Sequence, residues 1–100
     1  MQKVKLIKYL DWAENLHIGD EVDFCWTSSG CSFKAKVKIV RVNRKSFIGE
    51  LLSPVNYGSG YEYSAGREIK VPKPSFDNPN WTWNNCPLPD DFRENYLERS

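Results

Sequence analysis

The clearest pattern in the sequence is a strict alternation of apolar and polar residues from position 33 to position 39. The apolar members are Phe33, Ala35, Val37 and Ile39, and the residues between them are Lys34, Lys36 and Lys38. Because successive side chains of a β-strand point to opposite faces, this alternation predicts a half-buried strand with its lysines in solvent. Past Ile39 the apolar positions change phase to Val40 and Val42, and such a slip predicts a β-bulge or a bend.

A second alternating run precedes this strand and starts at Glu21. Its apolar members are Val22, Phe24 and Trp26. The polar segment that follows ends the run, so the two strands should form a hairpin. A tight turn at Ser28 and Ser29 would pair Trp26 with Cys31.

Two more strands are predicted after the polar turn at 43–45. The stretch SFIGELL at 46–52 is typical of a third strand, in which Gly49 leaves room for a bend or a close neighbour. The stretch REIKV at 67–71 predicts a fourth strand with Ile69 and Val71 inward. The segment between them, which contains several glycines and serines, predicts a long loop.

The N-terminal segment has helical spacing. Its apolar stripe follows steps of four, three and four through Leu6, Leu10, Ala13 and His17, with Ile7 and Leu16 on the flanks. This spacing predicts a helix from about Lys5 to Leu16, ended by Gly19. An alternative interpretation takes KVKLIKY as a strand and leaves only a short helix from Asp11.

The C-terminal region fits neither period. The stretch FDNPNWTWNNCPLP at 76–89 carries two tryptophans and three prolines, and PDDFRENYLERS predicts a short helix that starts at Pro89. We therefore predict a mostly β (α+β) domain spanning residues 1–100. It has an N-terminal helix (1–17), a small half-open β-barrel (18–72), and an irregular extension (73–100) that ends in a short helix.

The barrel region resembles the SH3-like modules of the KOW and Tudor type. The resemblance is carried by the segments Gly19-Asp20-Glu21-Val22, Phe33 to Ile39, Phe47 to Leu51, and Gly66 to Pro72, and it covers residues 18 to 72. It implies a small barrel and little about function, because such modules bind nucleic acids, peptides or no known ligand.

Composition indicates a soluble cytoplasmic protein without a cofactor. The 100 residues carry a net charge of +1 and have no signal peptide or membrane span. Three cysteines, Cys25, Cys31 and Cys86, are an odd number that favours free thiols in a reducing compartment. The spacing from Cys25 to Cys31 is wider than zinc pairs use, so we expect no metal, and one histidine offers too little for a catalytic site.

A basic run suggests one binding feature. Six cations and no acid lie between residues 32 and 49, and they are Lys34, Lys36, Lys38, Arg41, Arg44 and Lys45. This run predicts a sheet face with concentrated positive charge that could hold phosphates. The alternative is an ordinary solvated strand face, partly neutralised by acids from elsewhere in the chain.

Aromatic residues in two loops suggest a second binding feature. The loop aromatics are Tyr57, Tyr61, Tyr63, Trp81 and Trp83, and Asn84 and Asn85 follow the tryptophans. Rigid rings beside adaptable amides are typical of recognition surfaces. The alternative is a lid in which the tryptophans pack over an open barrel end.

These features favour a non-catalytic binding module. We expect the aromatic loops and the basic face to form one site for a macromolecular partner, a protein or a nucleic acid. A small anionic or aromatic ligand, for example a nucleotide, is the second hypothesis. No membrane partner is expected, and homo-oligomerisation is left open.

Overall fold

The protein is a mostly β domain with one helix. The computed structural model describes residues 3–28, 30–56, 62–75, 77, 82 and 84–90, with side chains from residue 7 onward. Its elements are the helix α1 (Lys3–Glu14) and the strands β1 (Glu21–Ser28), β2 (Cys31–Val42), β3 (Ser46–Leu51), β4 (Val55–Asn56), β5 (Glu62–Tyr63), β6 (Glu68–Pro72) and β7 (Cys86–Leu88). None of the described helical residues belongs to a helix long and apolar enough to span a membrane.

Five strands form one antiparallel sheet in the order β6-β3-β2-β1-β7, and β4 pairs with β5 in a small separate sheet. The large sheet curls into a half-barrel and brings β6 close to β1 and β7. Its inner face holds the main core, which includes Phe24, Val37, Ile39, Phe47 and Val71. The predicted faces of β2 and β6 are confirmed, because Phe33, Ile39 and Ile69 are buried while Lys36 and Lys38 are exposed.

The register of the first hairpin differs from the prediction. Trp26 lies opposite Phe33, and Ser28 lies opposite Cys31, so the two strands are two residues apart along the chain. Gly30 has a φ of 79°, which two-residue hairpin loops require and which glycine adopts without steric strain. The shift is two residues, so every side chain keeps its predicted face.

The change of phase near residue 40 is a β-bulge, as predicted. Ile39 pairs with Gly49 and Arg41 with Ile48, so Val40 is the extra residue on β2. Gly49 makes the predicted close contact. A Cβ atom built there would lie 2.5 Å from Val37 Cγ2 and 2.7 Å from Phe24 Cε2, so only glycine fits between these core side chains.

Helix α1 exists, and its predicted face is confirmed only in part: Ala13 and Leu16 are buried, but Tyr9 was missed. The helix spans Lys3–Glu14, which also excludes the strand interpretation of KVKLIKY. Its buried residues are Tyr9 and Ala13, followed by Leu16 just past its end, whereas Ile7 and His17 are exposed. The Tyr9 hydroxyl donates a hydrogen bond to the Pro87 carbonyl at 2.6 Å, so the helix packs against the edge strand β7.

Two predicted irregular regions contain strands. The long loop at 53–66 holds β4 and β5, whose short pairing leaves Tyr63 buried. The C-terminal extension supplies β7, which pairs with β1 and forms a second small core of Tyr9, Cys86 and Leu88. The predicted helix after Pro89 lies almost entirely outside the described residues.

Candidate functional site

Tyr63 and Asn85, from two separate segments of the chain, meet the end of the β1–β2 hairpin. On the tyrosine side, the Tyr63 hydroxyl donates a hydrogen bond to Ser28 Oγ at 2.9 Å. On the tryptophan side, the Thr27 backbone N–H donates to Asn85 Oδ1 at 3.2 Å. We call this region the hairpin-end surface, and its described residues are Trp26, Thr27, Ser28, Phe33, Tyr63, Arg67, Asn84 and Asn85.

Three aromatic rings form the floor of this surface. Trp26 stacks on Phe33 with ring centroids 5.5 Å apart, and Tyr63 meets the two rings edge-on at 6.0 and 5.6 Å. The Arg67 guanidinium lies 4.4 Å from the centroid of the Tyr63 ring. Tyr63 was predicted as a binding residue, but its ring is buried in the core and supports the surface from below.

Trp26 contains an unusual polar atom. Its Nε1–H is buried and has no hydrogen-bond acceptor within reach among the atoms described. A buried donor without an acceptor costs about 1 to 3 kcal/mol. Such groups are few in native proteins, and each one calls for an explanation.

The asparagines shape a tight turn at the tryptophan loop. The Asn85 backbone N–H donates to the Thr82 carbonyl at 3.0 Å, and the Asn84 backbone N–H donates to Thr82 Oγ1 at 3.3 Å. Asn84 is exposed at this turn, while Asn85 is half-buried and caps the end of β1. The predicted binding residues Trp81, Trp83, Tyr57 and Tyr61 lie outside the described residues.

The predicted basic face is balanced by acids from neighbouring strands. Lys34 and Lys36 lie across the sheet from Asp23, with Nζ to carboxylate distances of 4.0 and 3.6 Å. Lys38 lies between Glu21 of β1 and Glu50 of β3 in the strand register. The expectation of concentrated positive charge on this face is therefore wrong.

Lys36, at the centre of this face, contacts Asp90 in addition to Asp23. Asp90, two residues beyond β7, accepts a hydrogen bond from Lys36 Nζ at 3.0 Å. This hydrogen bond is the main reason that the pKa of Lys36 is raised above its ordinary value. Both side chains are exposed, so the pair contributes little to stability.

Arg41 and Arg44 are far from the hairpin-end surface. Arg41 follows the bulge and Arg44 lies in the next turn, both exposed. They are at the opposite end of the twelve-residue strand β2 from the hairpin end. A strand of that length spans on the order of 30 Å, so the structure separates these residues from Tyr63 and Asn85.

Two of the three thiols, Cys25 and Cys86, are protonated, and the exposed Cys31 lies opposite Ser28 at the hairpin end. Burial raises the pKa of Cys86 to about 12 and also raises that of Cys25, its cross-strand neighbour. Neither is a thiolate near neutral pH. Among the described residues, no group of three or more His, Cys, Asp or Glu side chains is placed to hold a metal ion.

Sequence reasoning missed Ser28 and Arg67 as parts of the hairpin-end surface. Neither has a local signal, because the sequence around Ser28 predicts a turn and that around Arg67 predicts the start of a strand.

In comparisons with known proteins, no family model, curated protein or solved structure matches this chain.

Proposed function

We propose that the protein is a non-catalytic binding module whose recognition site is the hairpin-end surface. The observation that carries this proposal is the convergence of two separate loops on Thr27 and Ser28. Buried rings hold the floor rigid, and the exposed amide of Asn84 lies at its margin. A rigid aromatic floor with adaptable polar groups is the usual composition of a protein-binding site.

A protein is the partner that the charge distribution favours. Nucleic-acid binding depends on cations that neutralise phosphates, and Lys34, Lys36 and Lys38 already face carboxylates within the sheet. The net charge of +1 supplies no wider positive field. Protein interfaces instead take most of their affinity from a few aromatic or arginine anchors, for which Trp83 is the candidate.

Site-specific photo-crosslinking tests this function. A photoreactive amino acid at Asn84 should capture a protein from cell lysate, whereas the same amino acid at Glu68, exposed on β6, should not. The captured protein, once purified, should bind the wild type, and Trp83→Ala should weaken binding by about 1 to 3 kcal/mol. Unchanged affinity in this variant would exclude Trp83 as the anchor, and equal capture at Asn84 and Glu68 would remove the hairpin-end surface from consideration. Capture of nucleic acid instead would favour the other macromolecular partner.

One observation supports a small-molecule ligand as the second candidate. The buried Trp26 Nε1–H lacks an acceptor in the described part of the chain, and a ligand with a carbonyl or anionic oxygen would supply one. Protein-observed NMR titration with a library of nucleotides and aromatic acids tests this alternative. A ligand of this kind should shift the Trp26 indole signal, and absence of any shift contradicts it.

We also propose that the half-barrel is of the SH3-like type and that the protein is cytoplasmic. The meander β1-β2-β3-β6 and the bulge in β2 support an SH3-like barrel. The three cysteines are free thiols, which supports a reducing cytoplasmic environment.

A further inference from the structure

An open groove lies between helix α1 and the start of β1. Its volume is about 640 Å³. Trp12, Leu16 and Val22 supply its apolar lining, and of these Trp12 is only half-buried. One side of the Trp12 ring stacks on Tyr9 with centroids 5.9 Å apart, so the core fixes the orientation of the indole. The groove is thus a preformed concave site with one aromatic surface.

The polar lining of the groove is mostly acidic. Asp11 extends from the helix, Asp20 and Glu21 lie across from it, and Lys8 is the only cation among the lining residues described. None of the three carboxylates forms an ion pair with a described residue, although Glu21 is the cross-strand neighbour of Lys38 and Asp20 accepts a hydrogen bond from the His17 backbone N–H at 2.7 Å. Among the described residues they form no group placed to hold a metal ion. Carboxylates on both sides of an apolar groove suit a cationic peptide segment.

Two exposed apolar residues are close in the chain to residues that line the groove. Ile18 is 68% exposed and lies in the turn that connects Leu16 to Asp20. Ile7 is 48% exposed and precedes Asp11 by one helical turn. Large exposed apolar residues beside a concave site are typical of interaction surfaces.

We propose that this groove docks a basic segment of a protein partner, with an arginine or lysine over Trp12 and apolar neighbours on Ile18 and Ile7. The carboxylates of Asp11 and Glu21 pair with its cations. The cation over the indole adds an attraction that an acidic or neutral segment lacks. This docking groove is at the start of β1 and the hairpin-end surface is at its end, so the two sites are independent.

NMR titration of the full chain tests the proposal. The probe is an octapeptide of alternating arginine and leucine, and its control replaces each arginine by glutamate. The arginine peptide should shift the Trp12 indole signal and the amide signals of Asp11 and Glu21. These shifts should saturate with a Kd of about 1 mM or lower. The glutamate peptide should leave these signals unchanged.

Matched variants separate the groove from general charge. Asp11→Lys should weaken the arginine peptide about fivefold or more, because one attraction becomes a repulsion. Glu14→Lys makes the same charge change on the same helix outside the groove and should alter affinity less than about twofold. Asp11→Asn keeps the shape of the side chain and should still weaken binding.

Three results would overturn the proposal. The first is equal binding of both peptides, or no binding by either. The second is an affinity in Asp11→Lys and Asp11→Asn equal to that of the wild type. The third is concentration-dependent dimerisation that protects the Trp12 signal, because the occupant would then be a second copy of this chain.

Discussion

The two faces of the β1–β2 hairpin use the same strands for different purposes. Inward residues such as Phe24 and Val37 are fully buried and form the main core. Outward residues at adjacent positions, such as Asp23 and Lys36, form exposed or half-exposed ion pairs. The inner face therefore contributes packing energy, and the outer face contributes solubility and little stability.

A run of like charges in one strand therefore does not set the charge of the whole sheet face. The lysines of β2 are consecutive on their own strand, but the sheet places Asp23 and Glu21 beside them from β1. Acidic residues distant in sequence therefore neutralise the run. The outer face is not uniform either, since near β7 it is covered by Tyr9 of helix α1.

The largest expected difference between the faces is at the neighbouring positions 24 and 23. Phe24→Ala should cost about 3 to 5 kcal/mol of unfolding free energy, because it leaves a cavity between β1 and Gly49. Asp23→Ala should cost about 1 kcal/mol or less, as for other partly exposed ion pairs. Urea denaturation of both variants measures the two costs. Equal costs would mean that the faces of β1 are assigned incorrectly.

A smaller effect should appear at high pH through Cys86. The pKa of this thiol rises from an ordinary value of 9.0 to about 12 because the folded chain buries it. The folded state therefore holds the proton more tightly, so stability is fully present below pH 9 and falls as the pH rises towards 12. The slope is at most about 1.4 kcal/mol per pH unit.

Denaturation curves between these pH values test the thiol effect. Cys86→Ala should lose less stability per pH unit than the wild type, because the buried thiol is absent. Some loss should remain, since tyrosines and lysines still titrate. Cys31→Ala is the matched control, because Cys31 is exposed and its removal should leave the slope unchanged. A wild-type slope in Cys86→Ala would show that the thiol is not buried in solution.

The smallest effect belongs to the centre of the outer face. Lys36→Ala should cost under about 0.5 kcal/mol, even though Lys36 contacts both Asp23 and Asp90. Any difference from the wild type should shrink at high salt, because salt screens exposed charges. Thermal melts at low and high ionic strength measure this. A loss above about 2 kcal/mol that persists in salt would contradict the assignment of this pair as exposed.

Much of the half-barrel could be predicted from the sequence. Alternation located the faces of β2 and β6, and the change of phase at Val40 located the bulge, because both signals depend on the two-residue period of a strand. The face of α1 could be predicted only in part. Ala13 and Leu16 are buried as their spacing suggested, but Tyr9 is buried while Ile7 and His17 are exposed, because β7 packs against Tyr9.

The candidate site was predicted only in part. The two loops were expected to act together, and the structure brings Tyr63 and Asn85 to the same hairpin end. The prediction that Arg41 and Arg44 join them is not supported by the geometry, because β2 is long and these residues lie beyond its bulge. Ser28 and Arg67 had no local signal and became visible only through their contacts with Tyr63.

The strand faces, the bulge and the close neighbour at Gly49 could be predicted from the sequence, because they depend on backbone geometry and short-range alternation. Three other features depend on the tertiary structure: the charge of the outer face, the strand at Cys86–Leu88 and the groove at Trp12. Each of these arises where segments far apart in the chain meet. Their pairing depends on the summed packing of the whole domain, which no local pattern records.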